Sequence, residues 1–516
     1  MNPIRGPTEA SASLSMMVRG RQVLSEPWYR YELVLAVTAS LAIGVLVVKA
    51  PPMAFTLALL PAVILMATRS PAVWVVSALI VAVTFRGLVE LGVAPGYAQF
   101  AHVPLAWGAL CVALVRDHPH SDLARRFGVW LGVLGLAVAA SALLNHSELL
   151  RGPAYLSILA EPFAIVLALL IEPPTRKERL LLLRTCFVLI AVQIPIAYFQ
   201  AVTLGLGDSV QGTLYGSGAG AHVVAALVIV GAFWYIGRAT RLVSPVAIAV
   251  LAALAGVLVI SDAKQVMFAV PAAIIGQRLL SSRAIAIGAI AFALIYVIIH
   301  FQPLNSNYVA PYLDRTWSGE TGKTAVAEVI WHEATADVGT FVFGQGPAMT
   351  VSGAAYGTVP AYQAQQSSFE VLGLAPAQTA IDAEQVAAAV VRAKGKSAYN
   401  EPFGLDSFDS GTSSGVGLFG DLGLLGFVAY SALFLTIFIN LRRRKSAEAL
   451  AAASGFAMLL VLGFIHDWWE TPALTLLLGT LAAVSLTEPR PETAPQPSSP
   501  GRVAPHAAAP EHGRAW

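Results

Sequence analysis

Ser261-Asp262-Ala263-Lys264-Gln265 joins two apolar runs with almost no chain to spare. So short a connection holds Lys264 at a membrane surface. A compact ammonium fixed there suits the phosphates of a lipid-linked substrate; the alternative is a lysine that snorkels to the interface and pairs with Asp262. Arg315 supplies a second cation, after Tyr312-Leu313-Asp314 and shortly beyond the next apolar run. His332 and Glu333 stand side by side in a polar stretch, with Asp337 about one turn further on. A His beside carboxylates can act as a general base, although a lone exposed His is commonly inert. No second His follows at the spacing of the helical zinc-protease motif, and no metal site is expected. Glu161 lies inside an apolar run, where a carboxylate is costly; it is either functional or paired at a kink marked by Pro162. Gln211 to Gly218 is glycine-rich and precedes an apolar run, a weak anion-binding pattern without the lysine of a nucleotide P-loop.

These residues hang on a framework that composition defines. The chain has 516 residues, 56% hydrophobic and only 12% charged, against about 25% charged in ordinary soluble domains. The deficit comes from repeated apolar runs of roughly 17–25 residues, each able to cross a bilayer. The expected fold is an all-α polytopic membrane protein with about fourteen transmembrane helices and one large extracytoplasmic loop between spans 11 and 12. The net charge of +2 says little about partners, and nothing points to nucleic acid. Cys111 and Cys186 form neither a disulfide framework nor a metal motif.

Five segments follow. Residues 1–30 form a cytoplasmic tail. Residues 31–301 carry spans 1–11, near 31–49, 51–68, 71–90, 97–115, 127–144, 154–171, 180–204, 219–237, 243–260, 266–280 and 284–301. Residues 302–414 are the large loop. Residues 415–486 carry spans 12–14, near 415–440, 449–466 and 470–486. Residues 487–516, rich in Pro and Ala, form a disordered cytoplasmic tail. Pro271 marks 266–280 as a broken or half-inserted segment. Within the loop, 324–338 and 376–393 read as helices and Gly344-Gln345-Gly346-Pro347 as a turn. Trp468-Trp469 reads as an aromatic anchor at the interface.

Basic residues set the orientation. With both termini inside, the outer side keeps only Lys49, Arg86, Arg151, Lys264, Arg315, Lys323, Arg392, Lys394 and Lys396 of the 32 Lys and Arg. The loop then faces away from the cytoplasm, and Arg151 joins Lys264 and Arg315 as a candidate cation on that side.

Four motifs in order resemble the O-antigen ligase and O-antigen polymerase superfamily. They are Gly212-Thr213-Leu214-Tyr215-Gly216, Ile260-Ser261-Asp262-Ala263-Lys264, Phe343-Gly344-Gln345-Gly346-Pro347 and Asp421-Leu422-Gly423-Leu424-Leu425-Gly426. The resemblance covers roughly residues 200–440. It implies a membrane glycosyltransferase of the bacterial cytoplasmic membrane that takes an undecaprenyl-diphosphate-linked glycan, passes it to a glycan or lipid acceptor, and needs no nucleotide sugar, metal or other cofactor. Other polysaccharide-assembly proteins are implied as partners. It assigns the diphosphate to cations, here Lys264, Arg315 and Arg151, and the acceptor proton to a loop His. Two departures are plain. Lys264 stands where the family has Arg. No His precedes Asp421; the matching region is Asp406-Ser407-Phe408-Asp409-Ser410, so Asp409 or His332, with Glu333 beside it, takes that role. A glycolipid transporter or flippase, with buried charge such as Glu161, and a non-catalytic assembly component are the competing readings.

Overall fold

The computed structural model describes residues 69–94, 96–116, 121–147, 151–214, 220–238, 245–277, 322–350, 413–444, 446–465 and 468–488. Among these residues every long element is a helix and none is a strand. In chain order they are α1 (Pro71–Glu90), α2 (His102–Val115), α3 (Asp122–Leu144), α4 (Arg151–Leu159), α5 (Glu161–Ile171), α6 (Arg176–Thr203), α7 (Gly220–Arg238), α8 (Pro245–Ile260) and α9 (Lys264–Gln277). Then come α10 (Gly322–Ala334), α11 (Val338–Phe343), α12 (Ser414–Leu441), α13 (Ala447–Ile465) and α14 (Pro472–Leu486).

Local sequence sets the boundaries. Pro71, Pro162 and Pro472 occupy first-turn positions, where the missing N–H has no intrahelical acceptor to lose. The Ser121 hydroxyl accepts the Ala124 N–H at the start of α3, and Thr175 with Glu178 forms a reciprocal capping box on α6. Among the described residues seven helices are long and apolar enough to cross a membrane, and the pair α4–α5 forms an eighth candidate bent by 64°. The protein is membrane-embedded by this measure. Shorter apolar helices run through α8, α9 and α14. The expected spans near 31–49, 51–68 and 284–301 lie outside the described residues, as do the loop beyond 322–350 and most of both tails.

Burial sorts the helices. Every residue of α5 is buried, and so is α14 from Ala473 to Leu486. Apolar all round, they form the centre of the bundle. By contrast α3 exposes Val129, Leu136 and Leu143, spaced by seven on one face, and α6 exposes Phe187, Val188, Phe199 and Val202. Apolar faces of this kind on the outside of an apolar bundle suit lipid. Around the centre, α9 and α7 lie against α13, α12 lies against α3, and α2 lies against α1 and α5.

The two ends of the bundle differ. One gathers ion pairs: Arg116–Glu172 at 2.6 Å, Arg179–Glu488 at 2.9 Å and Arg238–Glu448. The Arg444 guanidinium donates there to the carbonyls of Leu486 and Glu488. The other end gathers turns: Gly212 under the end of α6, the connection 261–263, the start of α12 and the end of α13.

Three expectations are corrected. α9 runs unbroken through Pro271; the real break is at Ala160, between α4 and α5. The loop helix expected over 324–338 ends at Ala334, because Asp337 is extended and its carboxylate accepts the Thr340 N–H at 2.9 Å, starting α11 afresh. Trp468 and Trp469 are buried rather than interfacial. The Trp469 ring stacks on Tyr430 at 5.4 Å and its Nε1–H donates to the Leu459 carbonyl, so both faces of its chemistry are met inside the bundle.

Candidate functional site

α12 is interrupted at Gly423, whose φ of 62° and ψ of −162° are not helical. An interruption frees carbonyls that the next turn would have taken. The Gly344-Gln345-Gly346 turn takes them instead: Gln345 N–H donates to Gly420 O at 2.8 Å and Gly346 N–H to Asp421 O at 3.2 Å. The Ser141 hydroxyl of α3 also donates to Asp421 O, at 2.9 Å. The Asp421 side chain is wholly buried, and its Oδ1 accepts the N–H groups of Met349 (2.9 Å) and Thr350 (2.7 Å). The Thr350 hydroxyl donates to Gly417 O, and Asn145 Nδ2 to Gly344 O at 3.1 Å. Two motifs more than seventy residues apart in sequence thus form one junction of loop, α12 and α3. Through Oδ1, Asp421 holds the loop down by its backbone.

The rim of this junction carries three of the expected site residues. Arg151, first residue of α4, donates from Nη1 to Met349 Sδ at 3.0 Å. Glu333 on α10 is exposed and accepts from Gln345 Nε2 at 2.7 Å. His332 is exposed beside it. α10 is seated by Ile330 and Ala334, both buried, and by Trp331 stacked on Phe419 at 5.7 Å. Asp337, expected to extend the His332–Glu333 cluster, serves α11 as its cap. Its carboxyl is held below the usual range, first by the Thr340 hydroxyl and then by the Thr340 N–H.

Among the described residues, none of the remaining expected residues is brought to this rim. Lys264 opens α9 at the same end of the bundle, its side chain lying outside the described residues; Arg315 and Asp409 lie outside them entirely. Of the glycine-rich stretch 211–218, residues 215–218 lie outside the described residues, and the first part behaves differently from its sequence pattern. Gly212 N–H donates to Gln200 Oε1 and Thr213 N–H to Gln193 Oε1, while Gln200 Nε2 returns a bond to Gly212 O. Those amides are occupied by glutamine and are not free for an anion. Gly212 has φ +56°, a backbone conformation that L side chains rarely adopt, so a substitution there is strained.

Glu161 has found a partner: its Oε2 lies 2.7 Å from His102 Nδ1, both residues being buried. Pairing and kink coincide, since Glu161 opens α5 immediately after the break. Trp107 Nε1 ties α2 to α4 through Ser157 O at 2.9 Å.

Sequence reading passed over His102, Ser141, Asn145, Gln193 and Gln200. The signal was present: Ser141 and Asn145 are four apart, and Gln193 and Gln200 seven apart, each pair on one face of an apolar helix. Polar side chains so placed in a span have backbone or ligand to meet. Among the described residues no three His, Cys, Asp or Glu side chains gather closely enough to hold a metal ion. A scan of the chain against family models and a search of curated proteins return no match.

Proposed function

We propose that this protein is a membrane glycosyltransferase that moves a glycan from undecaprenyl diphosphate to a glycan or lipid acceptor during assembly of a cell-surface polysaccharide. The observation that carries the reading is the contact between the Phe343–Pro347 turn and the Asp421–Gly426 break of α12. These are two of the four motifs on which the resemblance to O-antigen ligases and polymerases rests, and they meet through backbone bonds that demand their glycines.

The charge-paired end of the bundle is cytoplasmic in this reading, and the loop junction lies outside. The reaction is displacement at an anomeric carbon, with a lipid diphosphate leaving. Charge develops on the diphosphate, and cations stabilise it: Arg151 at the rim, Lys264 at the start of α9, and Arg315. His332 takes the acceptor hydroxyl proton. Glu333, bonded to Gln345, holds α10 against the turn; Asp409 is the second candidate for the proton. Buried Asp421 is the anchor of the loop and not the base. The distinction between ligase and polymerase rests with the acceptor.

The test is the double variant Lys264→Ala/Arg315→Ala in cells. Glycan product should cease while the protein still accumulates in the membrane, with lipid-linked glycan building up on the outer leaflet. Normal product from the double variant rejects the site.

One observation favours a second reading, a glycolipid flippase. The His102–Glu161 pair is buried at a broken helix, and broken helices with buried charge frame the sites of many transporters. Under that reading Glu161→Gln traps lipid-linked glycan on the inner leaflet; accumulation on the outer leaflet, or none, argues against it.

A further inference from the structure

Gln265, the second residue of α9, is 2% exposed, yet among the described residues neither its Oε1 nor its Nε2 has a hydrogen-bond partner. The buried glutamines of α6 behave otherwise. Gln193 and Gln200 use both ends of their carboxamides on the Gly212–Thr213 backbone and nearby groups. Leaving both ends of a buried carboxamide unmade is costly, and an apolar side chain of equal length would fill the same space without that cost. A buried polar group left unmade needs a physical reason, and a bound ligand that supplies both a donor and an acceptor is one.

Its position says which kind. The connection before α9 is tight: Ser261 is buried with its hydroxyl on Leu258 O, and Asp262 takes a left-handed φ of 48°. The first intrahelical acceptor is Ala263 O, taken by the Met267 N–H at 3.0 Å. The N–H groups of residues 264–266 therefore have no acceptor within the helix. Helix start and orphaned carboxamide stand together at the end of the bundle where the loop docks. A diphosphate offers only acceptors; it would satisfy Nε2 and leave Oε1 unmade. A sugar hydroxyl both donates and accepts, and so satisfies the whole carboxamide.

We infer that Gln265 binds a hydroxyl of the sugar joined to the lipid diphosphate, Nε2 donating to its oxygen and Oε1 accepting its proton, with the diphosphate at the start of α9. This rests on the glycosyltransferase reading and adds a specificity determinant to it. Burial excludes water from the amide and sharpens the choice between a sugar-bearing lipid and a bare one.

The test uses full-length protein in lipid nanodiscs. The ligands are undecaprenyl diphosphate and undecaprenyl diphosphate N-acetylglucosamine, with binding and thermal unfolding both measured. Without ligand, Gln265→Met should unfold at the wild-type temperature or above, because it removes unmade polar groups. It should bind undecaprenyl diphosphate like the wild type and the sugar-bearing lipid about tenfold more weakly or worse. Gln265→Leu repeats the comparison with a different shape. Wild-type affinity for the sugar-bearing lipid, or equal loss for both lipids, overturns the inference. So does a fall in unfolding temperature of both ligand-free variants, which makes the carboxamide a structural group. Failure of the wild type to bind either lipid removes the glycosyltransferase reading itself, a result separate from selective loss.

Discussion

Gly344 and Gly423 meet backbone to backbone, both at positive φ, so closely that a Cβ on Gly423 would lie 2.5 Å from the Gly344 nitrogen. No rotation of a side chain relieves that overlap. Gly423→Ala should destabilise the protein by about 2–4 kcal/mol through strain and overlap together. Thermal unfolding in detergent should show it, and proteolysis within 322–350 should quicken. An unchanged unfolding temperature contradicts the docked junction.

Asp421 makes a separate prediction. Asp421→Ala leaves the N–H groups of Met349 and Thr350 without their acceptor, at about 1–3 kcal/mol each. Asp421→Asn keeps an oxygen in place and should cost distinctly less. Hydrogen exchange at Met349 and Thr350 should rise in the alanine variant well before exchange in α13 and α14 changes.

Much of the helical framework was legible in the sequence, because an apolar run of span length has few other ways to fold in lipid. The segments expected at 71–90 and 415–440 appear as α1 and α12 with ends shifted by no more than a residue or so. What was not legible depends on distant partners. Pro271 looks like a breaker, yet α9 tolerates it. The break at Ala160 comes with a buried carboxylate whose partner, His102, is a helix away in space and far in sequence. Trp469 resembles an interfacial anchor until Tyr430 and Leu459 O are found on either side of it. The two glycine motifs were visible, but not that one docks on the other. Backbone bonds between a turn and a helix break leave no trace in local composition.

The cap on α11 predicts a pH response. The Asp337 carboxyl titrates below its ordinary value because the Thr340 hydroxyl, and then the Thr340 N–H, bind its ionised form. A depressed carboxyl contributes stability that is present above the unfolded value and lost as pH falls through the folded one. The α11 cap should therefore survive through the ordinary aspartate range and fail only in stronger acid. Protection of the Thr340 and Phe341 amides, corrected for intrinsic exchange, reads this directly. In Asp337→Ala the acid step should vanish.

His102 and Glu161 should be costly to separate and cheap to remove together. Glu161→Ala leaves a buried imidazole without its hydrogen-bond partner and should cost about 1–3 kcal/mol. Replacing both residues with apolar ones of similar volume should recover most of that loss in thermal unfolding. Equal losses in single and double variants would show that the pair is not coupled.

The reaction proposed for this protein is transfer of glycan from a lipid diphosphate. The most direct measurement follows release of undecaprenyl diphosphate from its glycan-bearing form by purified protein in nanodiscs, with an extract of the cell's own surface glycolipids as acceptor. The wild type should release it, and Arg151→Ala should do so about 10- to 150-fold more slowly, as the loss of one charge-assisted contact in the transition state requires. His332→Ala should slow release while leaving the unfolding temperature unchanged. No release from the wild type in the presence of acceptor, or full release from Arg151→Ala and Lys264→Ala alike, would contradict it.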